Sequence, residues 1–180
     1  MSKAMYKNRV EMWKKKEFTL KMAKNKIPSK QECLSILKKN KTPSNIIGHC
    51  KAVCGVAEKI AEKLIKKGID VNKKLIIAGA LLHDIERAKD NHIARGVSLL
   101  KKLGFPEVAE VVKKHSLYKV ENKEVQPRTF EEKIVFYADK RVIGNKVASL
   151  KERFDDITKR YNVSLDNEYK FAKKIEAELN

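Results

Sequence analysis

Apolar residues recur with the 3.6-residue period of an α-helix along most of the chain beyond residue 28. Polar capping residues, glycines and prolines separate these runs, as they do between helices. The chain shows no pair of alternating segments that would predict two paired strands. We therefore expect an all-α fold, with one compact domain over residues 28–180 built as a bundle of about seven helices.

Capping residues indicate where several of these helices begin. The capping-box spacing Ser/Thr-x-x-Glu occurs at three positions, namely Ser29, Thr129 and Ser149. Thr42 is predicted to be the N-cap of a helix that has Pro43 in its first turn and ends at Gly68. Further helical runs cover approximately residues 72–82, 91–103, 106–115 and 164–180.

Two segments lack a clear helical period. Residues 1–27 form a lysine-rich N-terminal extension, which is either helical or disordered. Residues 116–128 form a long connection of the kind that often covers a functional site. We expect this connection and the C-terminal helices to determine specificity.

The composition adds a strong positive charge to this picture. The 180 residues carry a net charge of +18, and residues 1–30 hold ten Lys or Arg against two Glu. Such a balance favours anionic partners: nucleotides, nucleic acid or acidic surfaces. The alternative is a solvated lysine-rich surface without a specific partner.

The cysteines and the apolar runs indicate the cellular compartment of the protein. Cys33, Cys50 and Cys54 form no disulfide framework, which suggests reduced thiols. The longest apolar run, Leu75 to Leu82, is too short for the ~20 residues that span a bilayer. No secretory signal is recognisable at the N-terminus. We therefore expect a cytoplasmic protein without a transmembrane segment.

The helix over residues 72–82 ends in the residues with the clearest chemistry. It is apolar on nearly all sides, which predicts that it is buried, and it runs directly into His83 and Asp84. A buried, unpaired carboxylate is costly, and the negative end of the helix dipole makes it less favourable still. Arg87 could compensate the charge, but a divalent cation would do so better and would also use His83 and His49 as neutral ligands. Taken alone, His49 is more typical of a core histidine.

The order of these residues resembles that of a known family. The segments GHCKAVCGVAEKIAEKL, AGALLHDIER and EEKIVFYADKRV are similar to those of HD-domain phosphohydrolases. The resemblance runs from about residue 28 to at least 161, and small stand-alone HD proteins of archaea and bacteria are most similar. It implies an α-helical, metal-dependent phosphohydrolase, and residues 1–27 lie outside it. The family pattern H…HD…D falls on His49, His83, Asp84 and Asp139.

In that family the residues of the pattern bind one metal, so the resemblance gives this role to the same four residues here. His92, which begins a His-x-x-x-Gly stretch, and His115 match two further histidines that bind a second metal in many members. The resemblance therefore implies a binuclear site in which Asp84 is the bridge. Mixed nitrogen and oxygen ligands suit Fe, Mn, Co or Zn better than Ca or Mg.

Such a site performs hydrolysis with activated water. A metal lowers the pKa of bound water towards ~7, and two metals ~3.5–4 Å apart steady the attacking and leaving oxygens at phosphorus. No serine or cysteine nucleophile is required, so we interpret Cys50 and Cys54 as buried thiols. Asp84, as the shared ligand, is the residue that we expect catalysis to require.

Phosphate groups also require cations near the metals. Arg87 corresponds to the basic residue that commonly follows the HD pair in the family, and we assign it to a substrate phosphate. Lys140 is a second candidate, whereas Arg141 is more typical of a surface ion pair. Glu86 departs from the small residue that is frequent at its position, and it is either an extra acid near the metals or a residue that faces water.

No motif identifies the substrate or the oligomeric state. We expect hydrolysis of a phosphate ester or anhydride in a nucleotide. The alternatives among enzymes are a symmetrical dinucleoside tetraphosphate hydrolase and a cyclic-nucleotide phosphodiesterase. The basic N-terminus leaves open another class, an RNA-binding or regulatory module with a structural metal.

Overall fold

A computed structural model of the chain describes residues 26–117 and 120–180. Most of this part of the chain is α-helical, as the sequence predicts, and nearly all of the predicted extension lies outside it. Among the described residues, no helix combines the length and the apolar character that a bilayer span requires. Eight helices are present there, slightly more than expected: α1 (Lys30–Lys39), α2 (Ser44–Lys66), α3 (Lys73–Leu82), α4 (His92–Lys102), α5 (Pro106–Lys113), α6 (Phe130–Asp139), α7 (Leu150–Tyr161) and α8 (Asp166–Leu179).

Side-chain caps fix the start of four helices. At Ser29, Thr129 and Ser149, the side chain accepts a hydrogen bond from the backbone N–H of the glutamate three residues later. The side chain of that glutamate accepts a hydrogen bond from the backbone N–H of the cap residue. These three capping boxes confirm the prediction. Asn72 caps α3 in a simpler way, by accepting a hydrogen bond from the N–H of Leu75.

Thr42 does not cap α2, so that prediction is wrong. Pro43 occupies the cap position, and its side chain makes no hydrogen bond there. The Thr42 hydroxyl donates instead to the carbonyl of Ile85 at 3.1 Å, and the Asn40 amide donates to the same oxygen at 3.0 Å. Thr42 therefore fixes the backbone that follows Asp84, a long-range role that local spacing does not reveal.

A short β-hairpin follows α6, although no paired strands were expected. Strand β1 (Val142–Ile143) pairs antiparallel with β2 (Lys146–Val147). Gly144 makes the turn with a φ of +59°, which favours glycine. Strands of two residues are too short to show an alternating pattern, which is why the sequence did not predict them.

Helix α3 lies at the centre of the bundle, as its apolar composition predicts. It packs against α1, α2, α5 and α6, and its residues 78–82 are all buried. Gly79 permits a close approach to α5, because a Cβ at this position would lie 2.6 Å from Cγ1 of Val111. This packing brings the C-terminal ends of α3, α5 and α6 close to the N-terminal parts of α2 and α4.

Candidate metal centre

The six residues predicted as ligands lie together where these five helices meet. His49 is in α2 and His92 begins α4, whereas the others lie at or just after the C-terminal ends of α3, α5 and α6. Their donor atoms form two groups, and within each group the atoms lie within 4.8 Å of one another. The first group is His49, His83 and Asp139, and the second is Asp84, His92 and His115.

Backbone carbonyls orient three of the four imidazoles. Nδ1 of His49 lies 2.8 Å from the carbonyl oxygen of Gly144. Nδ1 of His83 lies 2.8 Å from that of Ala80, and Nδ1 of His115 lies 2.6 Å from that of Val112. A carbonyl only accepts hydrogen bonds, so each Nδ1 must carry the hydrogen and donate it. The opposite nitrogen, Nε2, then faces the other donors, as in metal-binding histidines, and that of His49 lies 3.0 Å from Oδ1 of Asp139.

The carboxylate of Asp84 lies between the two groups. Its Oδ1 is 3.6 Å from Nε2 of His92 and 3.6 Å from Nε2 of His115. Its Oδ2 is 3.7 Å from Nε2 of His83, which belongs to the other group. The two oxygens of one side chain therefore face different sets of nitrogen donors.

The acidic groups of the site are held in their charged forms. Burial alone would raise the pKa of Asp139, but the Lys140 ammonium and the His49 imidazole hold this pKa well below its usual range. Burial likewise opposes ionisation of Asp84, yet the His83 imidazole lowers the pKa of that carboxyl. Burial and the Arg87 charge both lower the pKa of His92, which favours its neutral form.

The donor set fits a divalent transition metal. Nε2 of His83 is buried and has no hydrogen-bond partner among the described residues. This atom lies 3.6 Å from the carboxylate of Asp139. Buried nitrogen atoms without partners are uncommon in folded proteins, and a cation between the imidazoles and the carboxylates would satisfy both. Neutral imidazoles combined with carboxylates are the ligands that Zn, Mn, Fe and Co accept.

The two cations predicted to bind phosphate differ in their surroundings. Arg87 is 43% exposed, its Nη1 donates to Nε2 of His92 at 2.9 Å, and its Nε lies 3.8 Å from Asp84. Lys140 is buried, and its ammonium donates to the Asp139 carboxylate at 2.8 Å and to the His115 carbonyl. Both cations are bonded to candidate ligands, but Arg87 is partly exposed to solvent whereas Lys140 is enclosed within the site.

Glu86 and Arg141 point to neighbouring parts of the fold. Glu86 is buried and accepts hydrogen bonds from Lys89 at 3.1 Å and from Arg95 at 3.3 Å. It therefore neither faces water nor belongs to either group of donor atoms. Arg141 donates to the Ala148 carbonyl at 2.7 Å and so fixes the hairpin that carries Gly144.

A cleft of about 210 Å³ opens beside the donor atoms, and α7 forms one of its walls. The sequence indicated a role for the C-terminal helices in general, but it did not single out the four residues of α7 that line this cleft. Their spacing was the available signal, since positions i, i+4, i+7 and i+8 share one face of a helix. The cleft residues contributed by α7 are Arg153, Ile157, Arg160 and Tyr161.

Comparison with known proteins identifies a matching family. The sequence model of the HD domain matches residues 46–142, which is more than half of the chain. All six donor residues lie inside this range. No solved structure matches the chain.

Several curated proteins are similar to this chain. A tRNA (cytidine(56)-2′-O)-methyltransferase of Picrophilus torridus is 33% identical over 168 residues, which cover 86% of this chain and 47% of that protein. An uncharacterised protein of Methanocaldococcus jannaschii is 34% identical over 159 residues, covering 81% of this chain and 91% of that protein. A dihydroneopterin 2′,3′-cyclic phosphate phosphodiesterase of the same organism is 34% identical over 113 residues, covering 52% of this chain and 44% of that protein. The chain thus spans about half the length of the methyltransferase and nine-tenths of the uncharacterised protein.

Proposed function

This chain belongs to the HD-domain family, and from that premise we propose that it hydrolyses a phosphate ester or anhydride of a nucleotide in a metal-dependent reaction. The domain extends over residues 28–180, and residues 1–27 are a basic extension. One observation carries the proposal: six histidines and aspartates form two groups of donors, and members of both groups line one cleft. A structural metal site needs only four protein ligands and no adjoining cleft.

Asp84 is proposed as the bridge of a binuclear centre. The observation that supports this role is that its two oxygens face different nitrogen donors, with Oδ1 3.6 Å from His115 and Oδ2 3.7 Å from His83. His49 and Asp139 complete one half of the centre and His92 completes the other. Two ions of Fe, Mn, Co or Zn fit this donor set.

The chain's own residues prepare the site for the reaction. When bound, a divalent metal supplies a nucleophile near neutral pH and offsets the negative charge that develops at phosphorus. The carbonyls of Gly144, Ala80 and Val112 hold the imidazole donors in place before substrate arrives. Arg87 binds a phosphate oxygen of the substrate, and Lys140 holds the carboxylate of Asp139 in position.

Hydrolysis by wild type and an Asp84→Ala variant tests this proposal. The panel comprises p-nitrophenyl phosphate, bis(p-nitrophenyl) phosphate, nucleoside mono-, di- and triphosphates, and 2′,3′- and 3′,5′-cyclic nucleotides, each with Mn²⁺. We expect wild type to turn over at least one class and Asp84→Ala to lose at least about a hundredfold in kcat, since removal of a shared ligand disrupts both halves of the site. Asp90→Ala is the matched control, because Asp90 is an exposed carboxylate six residues further along the chain.

The names of two relatives bear on which activity should be tested first. The relative named as a cyclic phosphate phosphodiesterase favours cyclic phosphodiesters as the first class to test. The relative named as a tRNA methyltransferase favours the second candidate, an RNA-binding or regulatory module with a structural metal. Equal inertness of wild type and Asp84→Ala across the panel would contradict the hydrolase and leave this second candidate.

A further inference from the structure

Two arginines of α7 line the same cleft as the proposed metal ligands. Arg153 and Arg160 line the same cleft as Asp84, His92 and Asp139. The two arginines are seven residues apart, so they lie two turns apart on the same face of α7. Neither belongs to the donor set described above, and the proposed reaction gives no role to either.

Arg153 offers a hydrogen-bond donor that nothing in the described chain accepts. Its side chain is 15% exposed, and Nη1 donates to Oδ2 of Asp156 at 3.2 Å. Its Nε is buried and has no partner among the described residues. Because a buried guanidinium N–H is normally satisfied, this nitrogen is available to an acceptor that enters the cleft.

The charges on this wall do not cancel. Arg160 donates to both oxygens of Asp156, at 2.8 and 2.6 Å, so two guanidinium groups share one carboxylate. One positive charge is left over beside the cleft. Two other cations line the cleft, but Lys140 is bonded to Asp139 and Arg87 is bonded to His92.

We infer, on the premise of the phosphohydrolase site proposed above, that the substrate carries a second phosphate, which Arg153 and Arg160 bind while the first is cleaved. The cleft of about 210 Å³ is small compared with the ~300–1,000 Å³ of typical ligand pockets, so it suits a compact charged group. A neighbouring cavity of about 660 Å³ adjoins it at His92 and Ile93. Apolar side chains, among them Val97 and Val125, line that cavity and provide space for the organic part of the substrate.

Binding of two adenosine nucleotides to the full chain tests this inference. The probes are adenosine 3′,5′-bisphosphate and adenosine 5′-monophosphate, titrated calorimetrically at constant ionic strength. Wild type is expected to bind the bisphosphate about tenfold to a hundredfold more tightly, as hydrogen bonds to a charged group imply. Arg153→Gln and Arg160→Gln are each expected to remove most of this preference. Lys159→Gln removes one positive charge from an exposed position of α7, and this variant is expected to keep the preference for the bisphosphate.

An Asp156→Asn variant separates binding from a structural role of the arginines. Loss of this carboxylate frees both guanidinium groups, so the bisphosphate should bind more tightly than it binds wild type. If the arginines merely hold α7 together, the same substitution would weaken binding of both nucleotides. This variant also keeps the inference testable if Arg153→Gln fails to fold.

The outcomes distinguish this inference from the proposed function. Equal binding of the two nucleotides by wild type, or a preference unchanged in both arginine variants, overturns the second phosphate site even if the protein hydrolyses phosphoesters. A preference that depends on the arginines supports the site even if the hydrolysis panel is negative, in which case only the proposed reaction fails.

Discussion

Three imidazoles of the site are oriented by hydrogen bonds to backbone carbonyls. The carbonyls of Ala80 and Val112 accept from histidines three residues later, at the ends of their own helices. The carbonyl of Gly144 accepts from His49 across 95 positions of sequence. Because the hydrogen bond from Nδ1 restrains rotation of each ring about its Cβ–Cγ bond, Nε2 is aligned in advance, which lowers the cost of assembling the site.

Two buried cysteines, Cys33 and Cys54, are predicted to be chemically inert. Burial raises the pKa of Cys33 and of Cys54 to about 12, so both stay protonated thiols at pH 8. We expect iodoacetamide at pH 8 to leave both unmodified in the native protein, as measured by peptide mass spectrometry. The same treatment in denaturant should label both. Rapid labelling of either residue without denaturant would contradict their burial.

The contact between α3 and α5 sets the geometry of the site at the level of elements. A candidate ligand follows the C-terminal end of each helix, so the distance between the helices fixes the separation of His83 from His115. The two rings lie with their centroids 5.1 Å apart. Gly79 sets this distance, because a side chain there would push against Val111.

Substitution of Gly79 by alanine is therefore expected to destabilise the protein. The added Cβ would lie 2.6 Å from Val111, and overpacking of this kind typically costs about 1–3 kcal/mol of the free energy of unfolding. Gly55→Ala is the control: nothing lies within 4 Å of its added Cβ, and alanine is favoured over glycine in a helix by up to about 1 kcal/mol. Urea denaturation followed by circular dichroism measures both. Equal stability of the two variants would show that the helices do not approach closely at Gly79.

Across the whole molecule, local signals predicted the helices, and long-range packing produced the features that were missed. Capping boxes such as Ser29 with Glu32 act within one turn, so the sequence alone identifies them. Thr42 looked like another local cap, but its hydroxyl bonds to Ile85, 43 residues away. The hairpin at Gly144 was too short to show a pattern. The buried helix that ends at Asp84 already indicated a cation there with His83 and His49 as ligands, and the resemblance to a family added Asp139, His92 and His115. Arg153 and Arg160 became visible only when α7 packed beside the cleft.

The central claim is that six side chains, drawn from five helices, together hold two divalent metals. Elemental analysis of the full chain, purified without chelator, tests it most directly. We expect about two transition-metal ions per chain in wild type and in Asp90→Ala. His92→Ala and His115→Ala should each hold about one, because they remove nitrogen donors from the half of the site that contains Oδ1 of Asp84. A single tightly held metal in wild type, unchanged in both histidine variants, would contradict the account.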